Sequence, residues 1–334
     1  METLCYQTLP DQNAFILRTG TERFLQFGEG NFLRGFVDYF IDCANERMGL
    51  DNKVIVVQPI KSGLADVINR QDGLYHLYLR GGEPSEPQVQ SRLVSSISRA
   101  IDPYRDFEAF LACAEQPELR FIVSNTTEAG ISCRTEDRLE DCPAASFPGK
   151  LTQLLWKRYQ CFGQQKGKGF IVLSCELIDH NGQELKKCVQ TYAGRWGLPE
   201  DFLNWLEEEN VFCDTLVDRI ITGYPKEDAE RLNQENGVED RLLDALHTQP
   251  AWLERYPLEL SGGELQRFCI ARALREGVRY LLCDEITAML DLITQAQIWD
   301  FLLEEARQRE LGLVIVSHNT LLLERLCTRI HPLT

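Results

Sequence analysis

Two closely spaced glycines near the start of the chain could form a phosphate-binding turn. Gly28 and Gly30 follow a short apolar run at residues 23–27 and precede a stretch with helical spacing at residues 32–46. Glycine allows a tight turn and close approach of the backbone to a pyrophosphate, and a helix N-terminus then offers N–H groups. Leu33 stands where the usual third glycine would be. The motif predicts a dinucleotide site, with a glycine turn that holds no ligand as the alternative.

The residue that follows the next apolar run, residues 53–57, is the one expected to bind the adenosine ribose of a dinucleotide. An acid at this point normally accepts hydrogen bonds from the ribose of NAD. This chain has Gln58 instead, with Lys61 three positions later. Lys61 could meet the 2′-phosphate of NADP, or it could be a solvated lysine. The sequence therefore leaves NAD and NADP both open.

Two acids and a histidine near the end of the chain could act on a nucleotide phosphate. Asp284 and Glu285 close one apolar run, and His318 closes another. An aspartate at a strand end can hold Mg²⁺, and the next glutamate can polarise an attacking water. Taken singly, the acids could be ordinary strand-end acids and the histidine a packed surface residue.

The elements that must position these residues alternate in type along the front of the chain. Runs at residues 53–57, 120–124 and 169–173 are apolar and rich in β-branched residues, which is typical of buried parallel strands. Helical stretches separate them, so the sequence predicts an α/β fold with a Rossmann-like, doubly wound parallel sheet. A partial α/β unit is predicted to follow, with buried strands at residues 278–283 and 313–316.

A change in lysine usage marks a boundary between two domains. Nine lysines lie between Lys53 and Lys226 and none follows, whereas arginine continues to Arg329. Residues 228–240 are polar and contain an Asn-Gly pair, so they are predicted to form a linker or a frayed junction. The predicted domains are 1–238 and 239–334.

The composition excludes several classes of partner and location. The net charge of −16 and the pI near 4.9 disfavour nucleic acid and anionic membrane as partners. No apolar run is long enough to span a bilayer, and the start of the chain does not resemble a signal peptide. The 12 cysteines contain no Cys-x-x-Cys pair. A cytoplasmic protein with reduced cysteines is expected, with a metal site as the weaker alternative.

The front of the chain resembles the long-chain mannitol dehydrogenase family, and it is most similar to the tagaturonate reductase branch. The segment at residues 25–35 looks like the opening of that family, and three later segments agree in order and spacing: residues 58–63 with 71–74, then 124–130, then 175–182. Residues 213–220 resemble the family's Val-Asp-Arg signature. The resemblance covers roughly residues 10–226. It implies NAD-linked interconversion of a keto-uronate and a hydroxy acid. It also implies cofactor contacts at Gly28, Gly30, Asn31, Phe32, Thr126, Thr127 and Glu128.

One part of that family's machinery is not found in this sequence. The resemblance implies a catalytic lysine in a Lys-x4-Asn-x2-His arrangement within a helical C-terminal domain. A general base of this kind must lie within hydrogen-bond reach of the carbinol. Lys226 is the last lysine, and Arg231 stands where the asparagine would be.

The back of the chain resembles the second half of an ABC transporter ATPase, of the peptide and nickel importer type. The sequence from Leu260 to Arg267 is similar to the ABC signature, and residues 280–285, 288–291 and 314–318 resemble the Walker B strand, the D-loop and the switch-histidine strand. In this family, Ser261, Gly262 and Gly263 would face a γ-phosphate held by a partner subunit, with Asp284 on Mg²⁺ and Glu285 and His318 catalytic.

The ABC resemblance is also incomplete, because no Gly-x4-Gly-Lys-[Ser/Thr] phosphate loop occurs in the sequence. Three hypotheses remain open at this point. The chain could be a dehydrogenase-type protein reduced to cofactor binding, with doubtful turnover. It could be an ABC fragment that binds ATP and Mg²⁺ only with an ABC ATPase or transporter subunit as partner. It could also be a non-enzymatic fusion or truncation product.

Overall fold

The computed structural model divides the chain into two compact units. One unit consists of residues 1–217 and 221–247, and the other of residues 218–220 and 248–334. The structure describes the whole chain except residues 10–14, 84–85, 127–129, 164, 179, 216–223, 226–227, 248–269, 271–272, 275–277, 285, 287–291, 310, 318–319 and 331–334. Each unit is considered by itself.

Strands and helices alternate along the first unit. Its strands are β1 Thr21–Phe27, β2 Asn52–Val57, β3 Tyr75–Glu83, β4 Glu86–Val94, β5 Ile97–Ile101, β6 Phe121–Ser124, β7 Ile171–Ser174, β8 Val211–Cys213 and β9 Asp244–His247. Its α-helices are α1 Asn31–Leu33, α2 Tyr39–Met48, α3 Ala65–Arg70, α4 Phe107–Ala112, α5 Phe147–Phe162, α6 Asn181–Arg195, α7 Glu200–Glu209 and α8 Ala229–Asn236.

Six parallel strands form the central sheet of this unit, in the order β5-β2-β1-β6-β7-β8. This is the doubly wound order, in which the connections reverse direction between β1 and β6. The predicted runs at residues 23–27, 53–57, 120–124 and 169–173 coincide with β1, β2, β6 and β7 to within two residues. The prediction of a Rossmann-like parallel sheet is therefore confirmed.

The sheet is held together by apolar side chains on its strands and covering helices. β2 is buried at every position after its first, as a central parallel strand requires. The largest core cluster joins residues of the central strands to apolar positions of α5, α6 and α7, among them Phe27, Leu151 and Phe202. The helical path from Asn31 to Met48 contains one π-helical turn at Arg34–Asp38, between α1 and α2.

The segment predicted as a linker is instead a folded part of the first unit, so that prediction is wrong. Residues 229–236 form α8, which ends at Gly237 in the left-handed conformation with φ 73°. The Asn-Gly pair is therefore a helix C-cap rather than a hinge. Leu232 is buried, and Asp240 is fully buried.

Pairing of β9 with β3 places residues 244–247 in the first unit as well. β3 pairs with β4 in an antiparallel hairpin and with β9 in parallel. The predicted division after residue 238 therefore falls inside the first unit, which extends to His247. The long-range pairing of strands, which local composition does not reveal, accounts for this difference.

The second unit contains a two-stranded parallel sheet, and two helices are described in it. The strands are β10 Tyr280–Asp284 and β11 Gly312–Val316, and the helices are α9 Leu292–Arg309 and α10 Thr320–Leu326. The strands were expected to be buried, but Tyr280 is 75% exposed and Leu282 is 68% exposed. Among the described side chains of β10, Leu281 and Cys283 pack in an apolar cluster with α9, whereas Tyr280 and Leu282 lie on the opposite, exposed face.

Among the residues described, no helix is both long enough and apolar enough to cross a bilayer.

A buried arginine on α5 forms hydrogen bonds with the segments that precede β6 and β7. Arg158 is fully buried, and its guanidinium donates to the carbonyl oxygens of Lys168 (2.8 Å), Ala114 (3.0 Å), Gln116 (2.6 Å) and Leu119 (3.0 Å). Burial lowers the pKa of this guanidinium to about 10. All four acceptors are backbone carbonyl groups, so this one side chain joins separate stretches of backbone.

We expect Arg158→Met to lower the free energy of unfolding by about 3 kcal/mol or more, since it removes four hydrogen bonds to backbone carbonyl groups, two of them fully buried. Urea unfolding followed by circular dichroism would measure the change. The matched control is Lys157→Met, one position along α5, whose ammonium pairs with Glu115 at the surface. Equal midpoints for the two variants would contradict this account of Arg158.

Candidate functional site: the glycine turn at the carboxyl edge of the sheet

Gly28 lies at the carboxyl end of β1, where the chain must turn between two neighbouring strands. Its φ is +121°, a conformation that favours glycine, and a Cβ built on it would lie 2.9 Å from the carbonyl oxygen of Asn125. The Gly28 N–H donates to Val57 O at 3.1 Å. The turn is therefore fixed on both sides, by the end of β2 and by the residue that follows β6.

Gly30 occupies a very different environment from Gly28. It is the N-cap of α1, with φ −70° and ψ 164°, angles that any residue can adopt. A Cβ built on Gly30 would have no neighbour within 4 Å among the described atoms. Neither the backbone nor the packing of this structure requires glycine here. The helix N-terminus beside this open space exposes N–H groups that lack intrahelical partners, which suits an anion.

A buried arginine holds the glycine turn in place through hydrogen bonds. Arg34 is 2% exposed, and its guanidinium donates to the carbonyl oxygen of Glu29 and to Asn31 Oδ1, the latter at 2.7 Å. It also lies over the ring of Tyr75, 5.7 Å from its centroid, and the Tyr75 hydroxyl donates to Arg34 O at 2.6 Å. The loop conformation is thus held by a charged group that is itself fixed.

The predicted cofactor residues Asn31 and Phe32 lie in the first turn of this helical segment. The side-chain oxygen of Asn31 accepts from Arg34, so the Asn31 side chain takes part in holding the loop. The Phe32 ring is partly buried against Leu33, Val123 and Cys175. Their contact with a cofactor stays a prediction.

A buried carboxylate joins the ends of β6 and β7 on the other side of Gly28. Glu176 is 2% exposed, and its carboxylate accepts from Ser124 Oγ at 3.0 Å, Thr126 N at 3.1 Å and Thr126 Oγ1 at 3.0 Å. Burial raises the pKa of Glu176, and these hydrogen bonds partly oppose the rise. Thr126 is thereby oriented by Glu176, whereas Thr127 and Glu128 lie outside the described residues.

The segment after β2 folds over the side chain of Glu29. An ideal Cβ on Gly63 would lie 2.0 Å from Glu29 Oε1 and 2.7 Å from the side-chain carbonyl group of Gln58. Lys61 is exposed, and its ammonium lies 6.0 Å from the centroid of the Tyr104 ring. A role for Lys61 in binding a 2′-phosphate stays a prediction.

The candidate site residues of the second unit fall mostly outside the described part of the chain. Ser261, Gly262, Gly263, Glu285 and His318 all belong to the residues that the structure does not describe. Asp284 is the last residue of β10, and its backbone lies beside Val316, the last residue of β11. Within the described ranges, no group of three or more His, Cys, Asp or Glu side chains is placed to hold a metal ion.

Three residues of the site were not singled out by the sequence analysis. Glu29, Arg34 and Glu176 are charged yet nearly fully buried, at 8%, 2% and 2% exposure. Each lies within or beside a segment that carried the family resemblance, but spacing alone gives no sign that its charge is buried. A charged residue within a glycine turn or directly after a buried strand is the signal that could have found them.

The strand order, together with a glycine turn at the point where the order reverses, defines a Rossmann-type domain. The profile of the mannitol dehydrogenase Rossmann domain matches residues 22–252 of the sequence. The chain belongs to this family. The match runs through the predicted linker and ends at residue 252, shortly after the last residue of β9.

Similar sequences include two altronate oxidoreductases. The enzyme of Klebsiella pneumoniae subsp. pneumoniae is 49% identical over 224 residues, which are 67% of this chain and 46% of that protein. The enzyme of Escherichia coli O7:K1 is 48% identical over 224 residues, which again are 67% of this chain and 46% of that protein. The chain therefore matches less than half the length of these relatives.

Two solved structures share the fold. The mannitol 2-dehydrogenase of Pseudomonas fluorescens, in a ternary complex with NAD and D-mannitol, has a TM-score of 0.62 at 21% identity, covering 73% of this chain and 52% of that one. A D-sorbitol dehydrogenase in substrate-free form has a TM-score of 0.60 at 24% identity, covering 74% and 53%. At these identities the likeness concerns the fold alone.

The two glycines of the turn should respond differently to the addition of one methyl group. We expect Gly28→Ala to lower the free energy of unfolding by about 1–3 kcal/mol, because its positive φ and the nearby Asn125 carbonyl both oppose a Cβ. Gly30→Ala should leave stability almost unchanged. Thermal unfolding of both variants beside the wild type would test this, and a large loss in Gly30→Ala would refute the open environment assigned to Gly30.

Proposed function

We propose that the first unit binds a nicotinamide dinucleotide, with the pyrophosphate over Gly28 and Gly30. The observation that carries the proposal is Gly30. It is a glycine that neither its backbone angles nor any neighbouring atom requires, at a helix N-terminus on the carboxyl edge of a doubly wound sheet. A pyrophosphate in the open space above it would explain why a side chain is missing there.

NAD is the cofactor that the similar mannitol 2-dehydrogenase structure suggests. The family domain is of the Rossmann type, and the similar mannitol 2-dehydrogenase structure holds NAD. NADP remains the alternative, because Gln58 rather than an acid follows β2. Asn31, Phe32 and Thr126–Glu128 would flank the bound dinucleotide.

The substrate class would be a keto-uronate and its hydroxy acid, as the altronate oxidoreductases suggest. In such a reaction, hydride passes from the reduced nicotinamide to the keto carbon, and a proton is added to the oxygen. A positioned acid must supply this proton, and the resemblance to the family implies that a lysine has this role. The sequence has no lysine after Lys226, so the proposal extends to cofactor binding and not to turnover by this chain.

A cofactor titration tests the proposed function directly. We expect the wild type to bind NADH and Gly30→Val to bind it at least about tenfold more weakly, because the valine side chain would occupy the space of the pyrophosphate. Protein-sensitised NADH fluorescence would measure both affinities.

The matched control is a valine in place of Gly194, a second glycine with no neighbour within 4 Å of an ideal Cβ, located on α6. Gly194→Val should keep wild-type affinity for NADH. Equal NADH affinities in the wild type and Gly30→Val would contradict the proposal that the pyrophosphate binds over Gly30.

A second candidate function concerns the second unit, as an ABC ATPase fragment that acts with a partner. The observation in its favour is the register of its sheet. Asp284 ends β10 directly beside Val316, and Val316 lies two residues before His318 in the sequence. Two neighbouring parallel strands would thus deliver the acids and the histidine to one edge. Ser261, Gly262 and Gly263 would then face ATP and Mg²⁺ held by an intact ABC ATPase or transporter subunit.

We expect no phosphate release from ATP by this chain alone, since the sequence has no phosphate loop to hold the nucleotide. The assay compares the wild type, Glu285→Gln and a mixture with an intact ABC ATPase. Activity in the lone wild type that is lost in Glu285→Gln would prove this expectation wrong. If the mixture exceeds the intact ATPase alone, and Glu285→Gln removes the excess, the second candidate function is supported.

A further inference from the structure

A buried acid inside the glycine turn lies against the end of β2. Glu29 is only 8% exposed although it sits between the two glycines of an edge loop. Its Oε1 lies so close to Gly63 that an added Cβ there would be 2.0 Å away, and the Gln58 side chain lies beside the same point. The carboxylate therefore occupies the place where β1 and β2 end together.

One oxygen of this carboxylate lacks a partner. Glu29 Oε2 is buried and has no hydrogen-bond donor among the described residues. Burial raises the pKa of this carboxyl, although backbone hydrogen bonds and the charge of Arg34 partly oppose the rise. A buried acceptor without a donor is costly, so the site favours a ligand that brings hydroxyl groups.

Exposed residues that follow β2 lie against this carboxylate. Gly63 lies against Oε1 and is itself exposed, as are Lys61 and Ser62. Ile60, directly after the Gln58-Pro59 pair, is 59% exposed. A ligand at the carboxyl edge of β2 would therefore lie beside the segment that contacts Glu29.

In dinucleotide folds the adenosine ribose lies at the end of the second strand, and an acid following that strand usually accepts from its hydroxyls. This chain has Gln58 at that point. We propose that Glu29, from the glycine turn itself, accepts the hydrogen bonds of the adenosine ribose and so selects NAD(H) over NADP(H). This inference rests on the proposed binding of a nicotinamide dinucleotide.

The charge of Glu29 supplies the selectivity. A ribose 2′-hydroxyl donates to a carboxylate, whereas a 2′-phosphate brings two further negative charges to the same point. Among the described residues Lys61 forms no ion pair with Glu29, and its ammonium lies 6.0 Å from the centroid of the Tyr104 ring. NADPH would therefore bring its 2′-phosphate against this carboxylate, and NADH would supply the donor that Oε2 lacks among the described residues.

The test compares NADH and NADPH binding to the full chain and to Glu29→Gln, which keeps the shape of the side chain and removes its charge. We expect the wild type to prefer NADH, and Glu29→Gln to reduce the NADH-to-NADPH affinity ratio by about tenfold or more. Glu118→Gln, an exposed acid before β6, makes the same change in net charge and should leave the ratio unaltered.

A second probe needs no variant and keeps the proposal open to refutation if Glu29→Gln does not fold. The 2′-deoxyadenosine analogue of NADH should bind the wild type about tenfold more weakly than NADH. If the wild type binds neither NADH nor NADPH, the proposed cofactor function fails. If it binds NADH but Glu29→Gln keeps the wild-type ratio, or the deoxy analogue binds equally well, the role of Glu29 is overturned and the cofactor function stands.

Discussion

The close approach of Gly28 to the carbonyl of Asn125 governs the arrangement of the first unit. Parallel strands β1 and β6 are neighbours, and the chain leaving β1 must pass the residue that follows β6. A Cβ at Gly28 would lie 2.9 Å from the Asn125 oxygen, so only glycine lets the chain turn here without moving that strand end. The direction of the following helical segment, and with it the open space at Gly30, depends on this contact.

Buried charges stabilise the strand ends around this contact. Arg34 holds the loop through the Glu29 carbonyl and Asn31, and Glu176 joins the ends of β6 and β7 through Ser124 and Thr126. Charged groups are costly to bury, and these two offset the cost through several hydrogen bonds each. Side chains of this kind fix backbone atoms in place, which is what a site built largely from backbone N–H groups requires.

The second unit presents a different physical situation. Its two parallel strands have one face packed against helices, while Tyr280, Leu282 and Val314 on the other face are 75%, 68% and 51% exposed. Parallel strands are normally covered on both faces, because their apolar residues point both ways.

The sequence by itself determined four strands of the central sheet, the glycine turn and the family of the first unit, because apolar runs and glycine spacing are local properties. It misjudged residues 228–240, whose polar composition hid a helix capped by Gly237 and a fully buried Asp240. Only the tertiary structure decided that Glu29 meets Gln58 and Gly63, that Glu176 holds Thr126, and that β9 joins β3. These contacts join residues that are distant in sequence, and whether a charge is buried depends on which distant strands and loops enclose it.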